Sequence, residues 1–453
     1  MNLFGTAGIR GPVGETVTPE LALQVGRAVG RPERTVYVGR DGRTSGSALA
    51  AAASAGLQAA GATVVRVGVV PTPTLAWAAR DEVGLMLTAS HNPPADNGIK
   101  LFEAGVEFDR ASEQAVAEAV ASDPEPVTWS EWGRERREAV LVDYRDAVVE
   151  TLEDRYGDQP LEGLAVAVDC GGGVGALATP QVLTTLGADV EAINATVDGH
   201  STARDSKPTP DSVRPFRQFV ETGAFDLGIA HDGDADRLVV VAPDGSIRHE
   251  DTVLAAVARA AVDGSSVDEP VVVTTPNASG RIDEAVARAG GRVERVRLGA
   301  LHEGVAAVSD GRVVFAAEPW KHMHPAFGGW IDGVIAAGHV SCLVARAGGL
   351  DSLCAGITER PYRKVSVDCP DDRKAETMAR LEARLPAQFP DAAVSTEYGL
   401  RLTFEEGGWT LVRPSGTEPY LRIYAEAEAV DALVETVREA VTAALEGDPR
   451  SRN

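Results

Sequence analysis

The chain has 453 residues, of which 44% are hydrophobic, and its formal net charge is −24 at pH 7. This length predicts several domains, and the negative charge argues against nucleic acid or an anionic membrane as a partner. No apolar run is long enough to cross a bilayer, and the first four residues show no signal-peptide pattern, so we expect a cytoplasmic protein.

Lysine supplies only five of the 43 basic residues. An acidic, lysine-poor surface suits a high-salt cytoplasm, in which ions screen the self-repulsion of the protein. We therefore hypothesise a halophilic, archaeal source. Retained stability and activity after dialysis to low salt would count against that hypothesis.

The first two predicted domains alternate strands and helices. Residues 1–143 contain predicted strands at 36–38 and 63–67, with an alanine-rich helix at 47–60 between them and a turn at 71–73. Residues 144–249 begin with a charged helix and contain predicted strands at 164–169 and 226–230. This alternation is typical of a sheet of parallel strands covered by helices.

Residues 250–360 repeat the alternation, with strands at 271–275 and 313–316 and helices at 280–289 and 334–347. Residues 361–453 differ, because three predicted antiparallel strands at 364–368, 400–404 and 409–412 precede a closing helix at 430–445. The fold class is therefore α/β, with an α+β domain at the C-terminus.

A buried strand at 83–87 leads into residues 88–100, which read TASHNPPADNGIK. The two prolines cannot continue the strand, so Ser90 lies at the strand's carboxyl end, where ligands bind in open α/β sheets. A hydroxyl there, beside His91 and ten residues before Lys100, could carry a covalent group. Taken alone, the run could equally be a solvated Ser/Asn/Pro turn.

Three aspartates follow the predicted strand at 226–230. Asp232, Asp234 and Asp236 alternate with small residues, so their carboxylates can point the same way. A hard divalent cation is the natural partner of such a set, and Mg²⁺ prefers a few carboxylates plus a phosphate oxygen. An exposed acidic turn is the alternative.

Four segments, in this order, resemble the signatures of the α-D-phosphohexomutase family: residues 4–11 (FGTAGIRG), 88–100, 232–237 (DGDADR) and 413–419 (RPSGTEP). The resemblance spans nearly the whole chain. It implies three similar α/β domains with mixed sheets and a C-terminal α+β domain, arranged around a central cleft. It also implies interconversion of hexose 1- and 6-phosphates.

The resemblance further implies the roles of individual residues. Ser90 would carry a phosphoryl group, and Mg²⁺ would be bound between this group and the three aspartates. His91 and Lys100 are acid–base candidates, with the pKa of Lys100 lowered by neighbouring arginines. His91 could equally be a simple hydrogen-bond donor to the phosphate. Other residues would bind substrate or offset phosphate charge: Arg10, Arg40, Arg237, Arg413, Ser415, Gly416 and Thr417. The alternative for Arg40 is a purely structural salt bridge with Asp41 or another acidic residue.

The sugar-recognition loop departs from the family pattern, which is usually Gly-Glu-x-Ser-Gly-His. Residues 317–322 read AEPWKH, which keeps Glu318 and His322 as predicted sugar contacts but places Trp320 and Lys321 at the serine and the second glycine. The tryptophan could stack on the sugar or fill a domain interface. The preferred hexose is therefore left open.

The leading hypothesis is a phosphomannomutase or phosphoglucomutase that uses hexose 1,6-bisphosphate as its activator. Phosphoglucosamine mutase is the nearest alternative, followed by a serine-dependent sugar phosphatase and by a non-catalytic sugar-phosphate sensor. The expected partner is a small sugar phosphate, and the chain could be a monomer or a dimer.

Overall fold

The computed structural model describes residues 3–5, 8–405, 407–415 and 418–446, which form four sheets. The first sheet has seven strands: β1 (Ile9–Pro12), β2 (Thr35–Arg40), β3 (Thr63–Val69), β4 (Val83–Leu87), β5 (Asp96–Glu103), β6 (Val106–Glu107) and β7 (Glu135–Arg137). Four helices accompany it: α1 (Pro19–Val29), α2 (Gly46–Ala59), α3 (Thr72–Ala78) and α4 (Arg110–Ala121). A short 3₁₀ helix, Trp129–Glu131, precedes β7.

The strand order in this sheet is β1-β5-β4-β2-β3-β7, with β6 paired to β5. The sheet is mixed, because β5 runs antiparallel to both β1 and β4. Gly98 on β5 has no room for a side chain, since a Cβ there would lie 2.4 Å from the carbonyl oxygen of Ile9. The turn predicted at 71–73 is wrong: Thr72 begins α3, whose first turn accepts Pro73 because proline is tolerated there.

Helix α5 (Leu141–Tyr156) leads to a second sheet with the order β11-β10-β8-β9. Its elements are β8 (Ala165–Asp169), a 3₁₀ helix (Val174–Leu177), α6 (Thr179–Thr185), β9 (Asp189–Ile193), α7 (Arg214–Thr222), β10 (Leu227–His231) and β11 (Leu238–Val241). Strand β10 is fully buried, so the loop that follows it is held against the core.

The third sheet has the order β13-β12-β14-β15. Its strands are β12 (Pro270–Thr274), β13 (Arg292–Arg295), β14 (Arg312–Glu318) and β15 (Lys321–Met323). Its helices are α8 (Glu250–Asp263), α9 (Gly280–Arg288), α10 (Leu301–Ala307), α11 (Gly333–Ala347) and α12 (Leu350–Cys354). One hydrophobic cluster runs from Tyr144 to Cys354, so the second and third units share a core.

The last unit is an antiparallel sheet with the order β16-β20-β19-β18-β17, which confirms the α+β prediction. Its elements are β16 (Tyr362–Asp368), α13 (Asp371–Arg384), a 3₁₀ helix (Pro386–Gln388), β17 (Ala393–Ser395), β18 (Leu400–Thr403), β19 (Trp409–Pro414), β20 (Tyr420–Glu426) and α14 (Val430–Glu446). In the part of the chain that the structure describes, no helix has both the length and the apolar character needed to span a bilayer.

Candidate active site

Ser90 lies directly beyond β4 in a buried, strained turn. Its φ of 52° is in the left-handed region, and its N–H donates to Thr88 Oγ1 at 2.9 Å. Its Oγ donates to Asp232 Oδ2 at 2.8 Å and lies 3.2 Å from His91 Nδ1. A non-glycine residue held in this conformation marks a position that its surroundings constrain. The structure thus brings together the serine, the histidine and the first aspartate, as the sequence predicted.

Arg43 holds the Ser90 loop in place through main-chain carbonyls. Its Nη2 donates to the carbonyl oxygens of Ser90 (3.0 Å) and Asn92 (2.7 Å), and its Nη1 to those of Pro93 (2.6 Å) and Asp96 (2.8 Å). Its Nε is 3.1 Å from Asp41 Oδ2, and the guanidinium is buried. One planar group therefore spans the whole turn.

The three aspartates lie in the loop between β10 and β11, and one carboxylate oxygen from each lies within 4.8 Å of the others. All three side chains are buried. Among the described residues, Asp234 Oδ1 and Asp236 Oδ1 have no hydrogen-bond partner, although they are shielded from solvent. Such orphaned oxygens are costly unless a cation meets them. The donor set fits a hard divalent cation.

Three cations surround the aspartates. Lys100 Nζ, on β5, is 3.4 Å from Asp234 Oδ2 and 3.1 Å from Asp236 Oδ2. Arg237 Nε lies 3.6 Å from carboxylate oxygens of Asp232 and Asp236. Lys321 Nζ, on β15, is 3.8 Å from Asp236 Oδ2. The carboxylates of the acidic loop are therefore paired with basic side chains, although the chain as a whole is strongly acidic.

The charge environment changes the expected roles of His91 and Lys100. Burial, aided by Arg237 and Arg10, lowers the pKa of His91 to about 3, so its imidazole is neutral. Burial also disfavours the charged form of Lys100, but the carboxylates of Asp236, Asp234 and Glu107 outweigh it and raise the lysine's pKa. The expectation that arginines lower the pKa of Lys100 is wrong, because carboxylates surround its ammonium group.

The aspartates themselves titrate unequally. Burial, with Asp236 and Asp234 nearby, raises the pKa of Asp232 to about 8. Asp236 is equally buried, but Lys100 and Lys321 hold its pKa well below the usual range. Burial therefore disfavours the ionised form of Asp232, the carboxyl that contacts Ser90, while the two lysines keep Asp236 ionised.

The two residues that are predicted to contact the sugar, Glu318 and His322, lie in different surroundings in the structure. Glu318 ends β14 and faces Lys321, with 3.7 Å between Oε1 and Nζ, and its Oε2 accepts from the N–H of Gly299 at 3.4 Å. His322 pairs with Ala317 across β14 and β15, which places its ring on the core side, 5.3 Å from the ring of Phe315. The structure does not bring His322 to Glu318, and its sugar contact stays a prediction.

Trp320 packs against the hydrophobic cluster of the second unit, which contains Val213 and Phe216. Its carbonyl accepts from the N–H of Leu238 at 3.1 Å. Of the two alternatives for Trp320, the structure therefore favours the one in which the tryptophan fills a domain interface.

The segment that is predicted to bind the far phosphate borders a cavity of about 920 Å³. Arg413 and Ser415 line it from the last unit, Glu107 from the first and Gly299 from the third. Glu107 in the cavity wall lies next to Lys100, with 3.9 Å between Oε1 and Nζ, and Lys100 in turn contacts Asp234 and Asp236 of the acidic loop. Gly416 and Thr417 lie outside the described residues.

The remaining predicted cations lie on the first sheet. Arg10 on β1 pairs with Gly98 of β5, two residues from Lys100. Arg40 ends β2, and its Nη1 donates to the main-chain oxygen of Asp41 at 3.3 Å. The carboxylate of Asp41 bonds to Arg43 instead, so the alternative of an Arg40–Asp41 salt bridge is wrong.

Sequence reasoning missed several residues that position the site. Besides Arg43 and Asp41, Ser206 Oγ donates to the carbonyl of Ser90 at 2.9 Å, and Thr72 Oγ1 donates to Asp234 Oδ2 at 2.7 Å. These contacts join segments more than 100 residues apart. A signal existed for Asp41 and Arg43, which follow the carboxyl end of β2, next to the strand that leads into Ser90.

Comparison with known proteins decides the family. Three models of the phosphoglucomutase/phosphomannomutase family match the chain: α/β/α domain I at residues 1–126, α/β/α domain II at 143–245 and the C-terminal domain at 365–444. The chain belongs to this family, the α-D-phosphohexomutases. It is therefore an enzyme, an intramolecular phosphotransferase of the isomerase class, and the sensor hypothesis is set aside.

Two curated relatives are each 41% identical over 94% of both chains. One is the phosphopentomutase of Thermococcus kodakarensis, and the other is a probable phosphoglucosamine mutase of Methanopyrus kandleri. A phosphoglucomutase/phosphomannomutase family protein of Burkholderia thailandensis has a similar structure, with a TM-score of 0.86 over 98% of both chains at 24% identity. An N-acetylphosphoglucosamine mutase of Aspergillus fumigatus, in complex with GlcNAc-6P and magnesium, has a TM-score of 0.63 over 98% of this chain and 96% of that chain, at 16% identity. These likenesses confirm the four-domain fold.

Proposed function

We propose that this phosphohexomutase interconverts a hexose 1-phosphate and a hexose 6-phosphate through a phosphoryl group carried on Ser90. The observation that carries the proposal is the 2.8 Å contact between Ser90 Oγ and Asp232, at the edge of a buried trio of carboxylates. A hydroxyl in that position can carry a group that a cation and nearby donors stabilise.

Asp232, Asp234 and Asp236 would hold Mg²⁺, together with an oxygen at Ser90. Two of their oxygens are buried without a hydrogen-bond partner among the described residues, and carboxylates with a phosphate oxygen suit this ion. When bound, Mg²⁺ supplies Lewis-acid stabilisation of the phosphoryl charge. The side chains of the protein would supply proton transfer and substrate binding.

The proposed reaction has two phosphoryl transfers. In the first, the bond between phosphorus and Ser90 Oγ breaks, a free hydroxyl of the bound sugar phosphate bonds to phosphorus, and the hydroxyl loses its proton. His91 is the better acceptor, because its imidazole is neutral while Lys100 is an ammonium paired with carboxylates. His91 Nδ1 lies 3.2 Å from Ser90 Oγ, so it would pass the proton to the serine oxygen as that oxygen leaves phosphorus. In the second transfer Ser90 Oγ gives the proton back to His91 and bonds to the other phosphorus of the sugar bisphosphate, and the released sugar oxygen takes the proton.

Arg10 and Arg40 would offset phosphate charge near Ser90, and Arg237 would contact substrate beside the aspartates. The far phosphate would bind to Arg413 and Ser415, with Gly416 and Thr417 assigned by the family motif alone. A guanidinium fork and a hydroxyl both donate to phosphate oxygens. Arg413 and Ser415 line a cavity of about 920 Å³, which has room for a sugar phosphate.

Glu318 would accept from sugar hydroxyls, and His322 is retained as a predicted donor. The names of the relatives make phosphoglucosamine mutase the nearest alternative activity and add a pentose phosphate to the candidates. The first phosphoryl transfer would be primed by hexose 1,6-bisphosphate. We also propose the domain boundaries 1–143, 144–249, 250–360 and 361–453, and a cytoplasmic location.

A coupled assay with glucose, mannose, glucosamine and pentose 1-phosphates, Mg²⁺ and a trace of the matching bisphosphate tests the proposal. We expect isomerisation of at least one hexose phosphate and its nearly complete loss in Ser90→Ala. Mass spectrometry should map a phosphate adduct to the peptide containing Ser90. Activity of Ser90→Ala close to wild type rules out the carrier role, and steady release of inorganic phosphate without isomerisation indicates the phosphatase.

A further inference from the structure

The seven-stranded sheet ends in an open edge at β7. All three residues of β7 are exposed, and β3 is its one strand neighbour among the described residues. The N–H of Val64 donates to the carbonyl of Arg134, and the N–H of Glu138 donates to the carbonyl of Arg66. Main-chain groups alternate along a strand, so those of Glu135 and Arg137 point away from β3, toward the open side.

The charges on this edge are arranged so that the edge of one copy could pair with the same edge of a second copy. Residues 134–138 read Arg-Glu-Arg-Arg-Glu. If a second copy runs antiparallel, with the two-fold axis at Arg136, Glu135 of each copy faces Arg137 of the other. Arg134 of each copy likewise faces Glu138 of the other. Opposite charges across an antiparallel pair stabilise it.

The same register also gives hydrogen-bond partners to the main-chain groups that point outward from β7. Glu135 and Arg137, which face each other, are the two residues whose main-chain groups point outward, so they can form the hydrogen-bonded pair of an antiparallel ladder. The one like-charged pair is Arg136 with its own copy, and each Arg136 already donates to Glu138 of its own chain. Centring the axis on residue 135 would instead place Arg134 opposite Arg136, so the pattern favours one register.

Two exposed tryptophans lie immediately before the edge. Trp129 is 88% exposed and Trp132 is 51% exposed, in a chain that is only 5% aromatic. Trp132 is fixed by a hydrogen bond from its Nε1 to the carbonyl of Val127 at 3.2 Å. Charged edge strands are a common protection against pairing, but protection does not call for tryptophan. Aromatic residues are enriched at protein interfaces.

We propose that β7 is the contact surface of a homodimer, in which two copies pair antiparallel about Arg136 and join their seven-stranded sheets into one. The tryptophans Trp129 and Trp132 would extend the contact beyond the short strands. A single patch that is complementary to itself gives a closed two-fold dimer. Strands β2 and β3 separate β7 from β4, which precedes Ser90, so both catalytic clefts stay open.

Charge-swap variants of the full chain test the contact by sedimentation equilibrium at physiological salt. E135R alone and R137E alone each create two like-charged pairs across the axis, and we expect each to weaken self-association about tenfold or more. The double variant E135R/R137E restores opposite charges and should dimerise like wild type. An equimolar mixture of the two single variants should also form a dimer, because one chain then offers arginine and the other glutamate at both positions.

The mixing result separates a lost contact from a damaged fold, since a misfolded chain is not rescued by a second variant. All variants should keep the wild-type isomerisation rate, because none of the substituted residues lies in the catalytic site. A monomeric wild type overturns the proposal, as do single variants that dimerise as tightly as wild type. A mixture that stays monomeric also overturns it.

Discussion

Replacing Arg43 tests whether one buried guanidinium holds the Ser90 loop in its reactive shape. In Arg43→Met, four main-chain carbonyls and the carboxylate of Asp41 lose a charged donor. Removing one partner of a buried ion pair costs about 3–5 kcal/mol, and single hydrogen bonds to a charged group contribute about 1.5–3 kcal/mol. We therefore expect the free energy of unfolding to fall by about 3–5 kcal/mol.

Arg43→Lys keeps the charge but not the planar fork, and one ammonium group cannot span four carbonyls and a carboxylate. We expect it to lose about half as much stability as Arg43→Met. Its kcat should still fall on the order of a hundredfold, because small misplacements of a reacting group cost that much. The two variants together separate the charge of Arg43 from its geometry.

The effect should depend on pH through Asp41. Burial raises the pKa of Asp41 to about 6 even with Arg43 beside it, and the loss of Arg43 raises it further. A carboxyl whose pKa is raised on folding favours the folded state below its unfolded pKa, and this stability is lost as pH rises through the folded pKa. The stability deficit of Arg43→Met should therefore be smaller at pH 5 than at pH 8, and the part that comes from the four lost carbonyl bonds should remain at both.

Urea unfolding at both pH values and steady-state isomerisation are the measurements. Arg217→Met is the matched control, because Arg217 donates to one loop carbonyl, that of Gly245, at 2.8 Å and lies outside the site. The reasoning fails if, at pH 8, the free energy of unfolding of Arg43→Met is within about 1 kcal/mol of that of the wild type. It also fails if Arg43→Lys retains the wild-type kcat.

Two further predictions concern the acidic loop. Because burial and the neighbouring aspartates raise the pKa of Asp232 to about 8, Mg²⁺ binding to the dephosphorylated protein should release close to one proton at pH 7 and few at pH 9.5. Calorimetry in two buffers of different ionisation heat measures this release, and its absence at pH 7 would contradict the assignment. Lys321→Gly removes a cation 3.8 Å from Asp236, so Mg²⁺ should bind on the order of tenfold more tightly, while the KM for sugar phosphate rises. An unchanged Mg²⁺ affinity would show that Lys321 does not compete with the ion.

Strand positions were predictable because local patterns determine them. The apolar run 83–87 became β4 with the same bounds, and the strand predicted at 226–230 became β10, Leu227–His231. Each is buried and is followed by polar residues that cannot continue it, so the chain itself marks where Ser90 and the aspartates emerge. This part of the site needed no knowledge of tertiary contacts.

Side-chain environments were not predictable in the same way. The pKa of Lys100 depends on which charges the second unit places beside β5, and the sequence offered arginines and aspartates equally. His322 shows a second limit, since its direction follows from the register of β14 and β15. Period-two alternation in Lys321, His322 and Met323 hints at the direction, but it does not say which face is the core.

The charges around the aspartates suggest that cation and phosphoryl group bind as a pair. Lys100, Arg237 and Lys321 already contact the three carboxylates, and burial raises the pKa of Asp232. A divalent cation entering alone must compete with these three positive groups. A phosphoryl group on Ser90, with a charge of about −1.5 to −2, would give the displaced cations a new partner and restore the balance. The acidic loop would thus hold a divalent cation tightly only when Ser90 carries the proposed phosphoryl group.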